Sequence, residues 1–98
     1  MYEIEYTAEA EGDLAYFRRY EQQIILLGID QQLRYEPTVV TTNRFRRRSP
    51  EIAEWELRVG LFRVYYNVEE NVRIVFIERI GQKPGNELYL RGRRTGIS

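Results

Sequence analysis

The chain has 98 residues, with 15 basic side chains against 15 acidic ones and neither His nor Cys. At that length it is expected to form one domain over residues 1–98, burying only about 60% of the surface its unfolded chain exposes, so it needs a compact core or a partner for stability. The absent residue types exclude disulfides, thiolate nucleophiles, Ser-His-Asp and Cys-His constellations and the usual zinc sites, leaving Arg, Lys, Tyr, Asp, Glu and Ser for any chemistry.

No apolar run approaches the roughly 20 residues of a membrane span, and Glu3 and Glu5 stand where a signal peptide carries positive charge. The expectation is a cytoplasmic protein without membrane contact. The neutral total joins two unlike parts. Residues 1–36 hold eight acidic and three basic side chains, a net of −5, while residues 37–98 hold seven acidic and twelve basic ones, a net of +5, eleven of the twelve being Arg. Arg gives bidentate bonds to phosphate and stacks on bases, so an Arg-biased half reads as a nucleic-acid surface; ordinary solvated charge gives the same composition.

Tyr2, Ile4 and Tyr6 alternate with Glu3 and Glu5, the period of a half-buried strand. Thr7 suits the cap of a helix with Glu9 and Glu11 in its first turn and Ala10, Leu14 and Phe17 along one face; Gly12 weakens this helix without stopping it. A second helix is predicted from about Glu21 to Arg34, with Ile25 or Leu26, Ile29 and Leu33 on one stripe, ended by Pro37. Residues 37–51 have no consistent period and read as a basic loop around Arg44, Arg46, Arg47 and Arg48.

Ala53, Trp55, Leu57 and Val59 then alternate with Glu54, Glu56 and Arg58 as a strand, and Gly60-Leu61 fits a type II′ turn. The next strand puts Phe62, Val64, Tyr66 and Val68 on one face and Leu61, Arg63, Tyr65 and Asn67 on the other, with Asn71 the residue best suited to positive φ in the following turn. Val72 to Ile80 is apolar on both parities, as in a central strand, and Leu88 to Arg91 makes a short last strand before a frayed tail over 93–98. The order βααβββ(β), with a helical hairpin over one face of a largely antiparallel sheet, is an α+β architecture.

Three stretches carry a resemblance: Arg34-Tyr35-Glu36-Pro37 closing the helical hairpin, Trp55-Glu56-Leu57-Arg58-Val59-Gly60-Leu61-Phe62-Arg63-Val64-Tyr65-Tyr66, and Gly81 to Gly92 with Glu87-Leu88-Tyr89-Leu90-Arg91-Gly92. In order and spacing the chain resembles the RelE/ParE superfamily of bacterial toxin-antitoxin toxins. The resemblance implies a toxin held inactive by a cognate antitoxin that folds on its surface. RelE-like members cut mRNA in the ribosomal decoding site; ParE-like members poison DNA gyrase, so the site must choose between them. A degenerate relative that only binds an antitoxin is a third possibility.

RelE-like cleavage uses the ribose 2′-hydroxyl as nucleophile, needs cations over the phosphate, and implies no metal or other cofactor. By resemblance Arg63 is the phosphate-holding Arg, Lys83 a supporting base in the loop after the central strand, and Tyr89 the near-terminal Tyr that stacks on a base or assists proton transfer. The chain departs from RelE in having Glu54 and Glu56 where a pair of bases stands; Glu56 is then either a general base toward the 2′-hydroxyl or a solvent-facing residue paired with Arg58 or Arg63. Arg44, Arg46, Arg47, Arg48, Arg58 and Arg91 are the candidate RNA-binding cations, the four-Arg cluster also suiting an acidic antitoxin segment.

Overall fold

Alternation and one hydroxyl set the first turn of the chain in the computed structural model, which describes residues 1–98. Along strand β1 (Glu3–Tyr6), Ile4 and Tyr6 are half-buried and Glu3 and Glu5 exposed. The Thr7 hydroxyl accepts the Ala10 N–H at 3.1 Å, capping helix α1 (Ala8–Tyr16), and donates to the Glu78 carbonyl at 3.0 Å, tying the helix start to the sheet. Helix α2 (Arg19–Leu33) starts earlier than its apolar stripe predicts, because the Glu21 carboxylate accepts the Arg18 N–H at 3.0 Å and fixes the N-terminus there. Ile25, Ile29 and Leu33 turn inward, whereas Leu26 is 37% exposed. Gly28 lets α2 approach the sheet closely, since a Cβ there would lie 2.8 Å from a Val59 methyl.

The remaining strands are β2 (Arg44–Arg46), β3 (Trp55–Val59), β4 (Phe62–Glu69), β5 (Ile74–Gln82), β6 (Tyr89–Leu90) and β7 (Arg93–Arg94). They run in the spatial order β2-β3-β4-β5-β6-β7, each pair antiparallel, with β1 parallel against β5. The α+β arrangement expected from the sequence is thus the one observed. Gly60, at φ +60°, takes the first central position of the β3–β4 turn, as a type II′ turn requires. Both helices cover one sheet face, where Trp55, Leu57, Val64, Tyr66, Val75, Ile77 and Ile80 meet α1 and α2. The other face carries only a small cluster of Ala53, Tyr65 and Leu88, so the polar side chains of β3 and β4 there are free to form a site.

Four expectations need correction. The basic loop contains β2, too short for a period to be visible, whose residues Arg44, Phe45 and Arg46 pair with Leu57, Glu56 and Trp55. The positive φ after β4 falls on Arg73 (+56°), whose guanidinium lies 4.4 Å over the Tyr2 ring, rather than on Asn71. The tail is hydrogen-bonded: β7 pairs with β6, and Leu88 N–H donates to the Ile97 carbonyl at 2.9 Å. Arg44 is a structural residue, 7% exposed, donating from Nε to the Val39 carbonyl at 2.9 Å and from Nη1 to the Gln32 carbonyl at the end of α2. Arg44→Ala therefore lowers the unfolding free energy by about 1.5 to 3 kcal/mol, the worth of charge-assisted bonds to orphan carbonyls, checked by urea denaturation.

Candidate functional site

Pleating of β3 sends Trp55, Leu57 and Val59 toward the helices and Glu56 and Arg58 to the open face, while the chain before it puts Ala53, expected beside Trp55, on the open face and leaves Glu54 paired with Arg46 beside Trp55. Glu56 is in register with Phe45 on one side and Tyr65 on the other, so a carboxylate stands between two aromatic residues in the middle of three strands. Its Oε1 accepts from Arg47 Nη1 at 2.7 Å, while Oε2 lies 3.3 Å from Arg63 Nε and 3.7 Å from Lys83 Nζ. Three cations against one anion leave a local excess of two positive charges. The expected solvent-facing Glu56 is instead 1% exposed, because β2 brings Arg47 across it and the residue after β5 brings Lys83 beneath it.

The cluster is incompletely bonded. Arg63 Nη1 donates to the Gly60 and Phe62 carbonyls at 2.7 and 2.9 Å, which fixes its guanidinium against the tight turn. Its Nε and Glu56 Oε2 are near enough to attract but not aligned to bond, and both lack a hydrogen-bond partner, as does the buried Tyr65 hydroxyl. Burial holds the Lys83 ammonium and the Arg63 guanidinium below their ordinary pKa values, with Glu56 acting in the opposite sense. Burial also pushes the Tyr65 phenol well above the usual tyrosine range, and Glu56 adds to that push, so it stays neutral. The Arg47 guanidinium lies 4.9 Å over the Tyr65 ring.

A cleft of about 430 Å³ opens onto this cluster, lined by Phe45, Arg46, Arg47, Arg48, Glu56 and Lys83 among others. Arg63, Lys83 and Glu56 are therefore brought together, with Arg47 a full member of the group, and Arg46 and Arg48 stand at its rim. Arg46 is paired with Glu54 at 2.7 Å and lies 5.4 Å over Trp55; Arg48 is exposed. Arg58 is not paired with Glu56 and instead stacks 4.9 Å over Phe45. Tyr89 is not brought to the cluster. It pairs with Gln82, which pairs with Phe62 on the helix-covered face, while its neighbours Leu88 and Leu90 reach under Gly81 on the open face.

Arg91 belongs elsewhere. Its Nε donates to Asp13 Oδ1 at 2.8 Å, and Arg79 donates to both Asp13 oxygens at 2.8 and 3.0 Å, with the Ile80 N–H adding a bond at 2.9 Å. Burial pushes the Asp13 carboxyl up, but these bonds and the Arg79 charge outweigh it and hold the group below the usual carboxylate range. This clamp fastens α1 to β5 and to the β6–β7 turn; the sequence reading missed Asp13, whose signal is an acid at i+3 from Ala10 on the buried helix stripe. The carboxylates of both networks are taken up by Arg and Lys, and no group of three or more His, Cys, Asp or Glu side chains is placed to hold a metal ion.

No family model matches the sequence, and no curated protein is significantly similar to it. Solved structures are. The toxin-antitoxin complex RelBE2 from Mycobacterium tuberculosis contains a chain 22% identical, superposing with a TM-score of 0.67 over 83% of this chain and 96% of that one. The archaeal RelE-RelB complex from Pyrococcus horikoshii OT3 contains one 18% identical, with a TM-score of 0.67 over 85% and 96% of the two chains. With its two helices over one face of a largely antiparallel sheet and its N-terminal strand bonded in parallel to β5, this chain superposes on both and therefore has the RelE toxin fold.

Proposed function

We infer that the protein is the toxin of a toxin-antitoxin pair and cuts mRNA on the ribosome as a metal-independent endoribonuclease in the cytoplasm. The observation that supports this is the convergence of Arg47, Arg63 and Lys83 on Glu56 with two positive charges to spare, at the floor of a cleft that Arg47, Lys83 and Glu56 line. A scissile phosphate entering there meets guanidinium groups held by backbone carbonyls and strand pairing, so little reorganisation opposes charge developing on its oxygens. The 2′-hydroxyl attacks phosphorus as its proton passes to a solvent water, the bond to the 5′-oxygen breaks as that oxygen takes up a proton, and a 2′,3′-cyclic phosphate remains. Lys83, its ammonium made more acidic by burial, is the group suited to give a proton to the leaving oxygen. Glu56, buried under three cations, acts in this reading by positioning them, and Tyr89, on the opposite face, takes no part at the phosphate.

The partner in this reading is a cognate antitoxin, a reading supported by the two structural relatives, which come from a toxin-antitoxin complex and a RelE-RelB complex. Purified protein added to a translating extract tests the reaction. Arg63→Ala is expected to cut mRNA cleavage by about 10²- to 10³-fold, the usual loss for one preorganised transition-state donor, while circular dichroism shows the fold retained. The rival reading, a ParE-like gyrase inhibitor, is favoured by Glu54 and Glu56 standing at the expected basic pair. Intact mRNA with trapped gyrase-DNA complexes would establish it, and intact mRNA with normal supercoiling would leave a chain that only binds an antitoxin.

A further inference from the structure

The cleft has one apolar wall. Phe45 is the single hydrophobic residue among its lining side chains, half-buried, on the same sheet face as its register partner Glu56. Register partners stand roughly 5 Å apart at Cα, so the ring borders the cations that Glu56 gathers. One side of the ring is occupied by the Arg58 guanidinium, 4.9 Å from the centroid, and the ring also faces the cleft beside Arg47 and Lys83. This half-buried apolar ring, kept among charged groups, has no part in either core cluster. Cations tracking a backbone with an aromatic face beside them form the arrangement that binds unpaired nucleic acid, the ring taking a base and the cations its phosphate.

We propose that Phe45 is a nucleobase platform, stacking an unpaired base next to the phosphate held by Arg47, Arg63 and Lys83. The ligand of the cleft is then a single RNA strand, because a base within a duplex is not free to stack on a protein ring. Arg58, behind the ring, is a positioning residue that orients it and does not itself meet RNA. The proposal rests on the RNA reading above.

Fluorescence anisotropy at low salt, with a labelled oligouridylate and the same ribose-phosphate strand lacking its bases, tests it. Wild type is expected to bind the base-bearing strand more tightly. Phe45→Ala should weaken that strand by roughly tenfold or more, the worth of one stacked base, leave the abasic strand unchanged, and be rescued by Phe45→Trp. Arg63→Ala should weaken both strands alike. Binding by wild type that Phe45→Ala leaves unchanged, or lowers equally for both strands, overturns the platform alone. Failure of wild type to bind either strand overturns the RNA reading and the platform with it.

Discussion

Glu56→Gln is expected to lower the unfolding free energy by about 2 to 4 kcal/mol, because it leaves three little-exposed cations without their counter-charge. The side chains of Arg47, Arg63 and Lys83 are only 5%, 12% and 16% exposed, so water cannot take over the role of the carboxylate. At roughly 4 °C or more per kcal/mol for a domain of this size, the fall in Tm is about 8 °C or greater in calorimetry. Two features separate this from loss of an ordinary surface charge. Inorganic phosphate should raise the Tm of the variant more than that of wild type, since an anion binding the native cluster replaces what was removed. The deficit should also narrow at alkaline pH: burial lowers the native pKa of Lys83 and Glu56 opposes it, so loss of Glu56 lowers it further, and between that value and about 10.4, where the unfolded chain binds more protons, the variant gains stability with pH over a wider window than wild type. A Tm change of a degree or two, insensitive to phosphate, would show that Glu56 does not organise the cations.

Asp13→Asn has its large effect on the other side of the fold, in the clamp that holds α1 to the sheet. Both Asp13 oxygens accept, one from Arg79 and Ile80 and the other from Arg79 and Arg91, and an Asn amide can present an acceptor to only one of these sets. Donor then faces donor in a place where Asp13 itself has no exposure. Complete burial of such a pair implies a loss of about 3 to 5 kcal/mol, but the Arg79 and Arg91 side chains are 26% and 42% exposed, and solvent reduces the expectation to about 2 to 4 kcal/mol. The lowered native pKa of Asp13 means that its contribution is complete above about pH 3.9 and is lost as pH falls through the native value. Wild type should therefore destabilise through that acid window more steeply than Asp13→Asn in urea titrations. Parallel acid limbs would show that the clamp carries no linked proton.

Local rules reached a good part of this. Alternation over Trp55–Val59 and Phe62–Val68, the Thr7 cap and the Gly60 turn depend on neighbours a few residues away, so the sequence fixes them wherever the domain folds. The same rules placed Arg63 on the face opposite the core. They did not reach β2, whose three residues are held by pairing with β3 rather than by any period of their own. Without β2 there is nothing to show that Arg47 crosses Glu56, that Arg44 turns inward, or that Phe45 walls a cleft.

Charge roles failed for a related reason. Arg91 and Asp13 are 78 residues apart and Arg79 and Asp13 are 66 apart, so neither pairing leaves a mark on local pattern. What the sequence alone determined was the order of β1, the two helices and β3 to β6, the two faces of β3 and β4, and a chemistry confined to Arg, Lys, Tyr, Ser and carboxylates. Which cations are spent on the fold and which remain at an open site follows from contacts between distant elements: Arg44 satisfies carbonyls at and after the end of α2 and Arg91 is neutralised by Asp13, whereas Arg47, Arg63 and Lys83 share a single carboxylate. A charge keeps its capacity for a ligand only where its partners in space are too few, and the number of those partners is set by strand register and helix packing rather than by position along the chain.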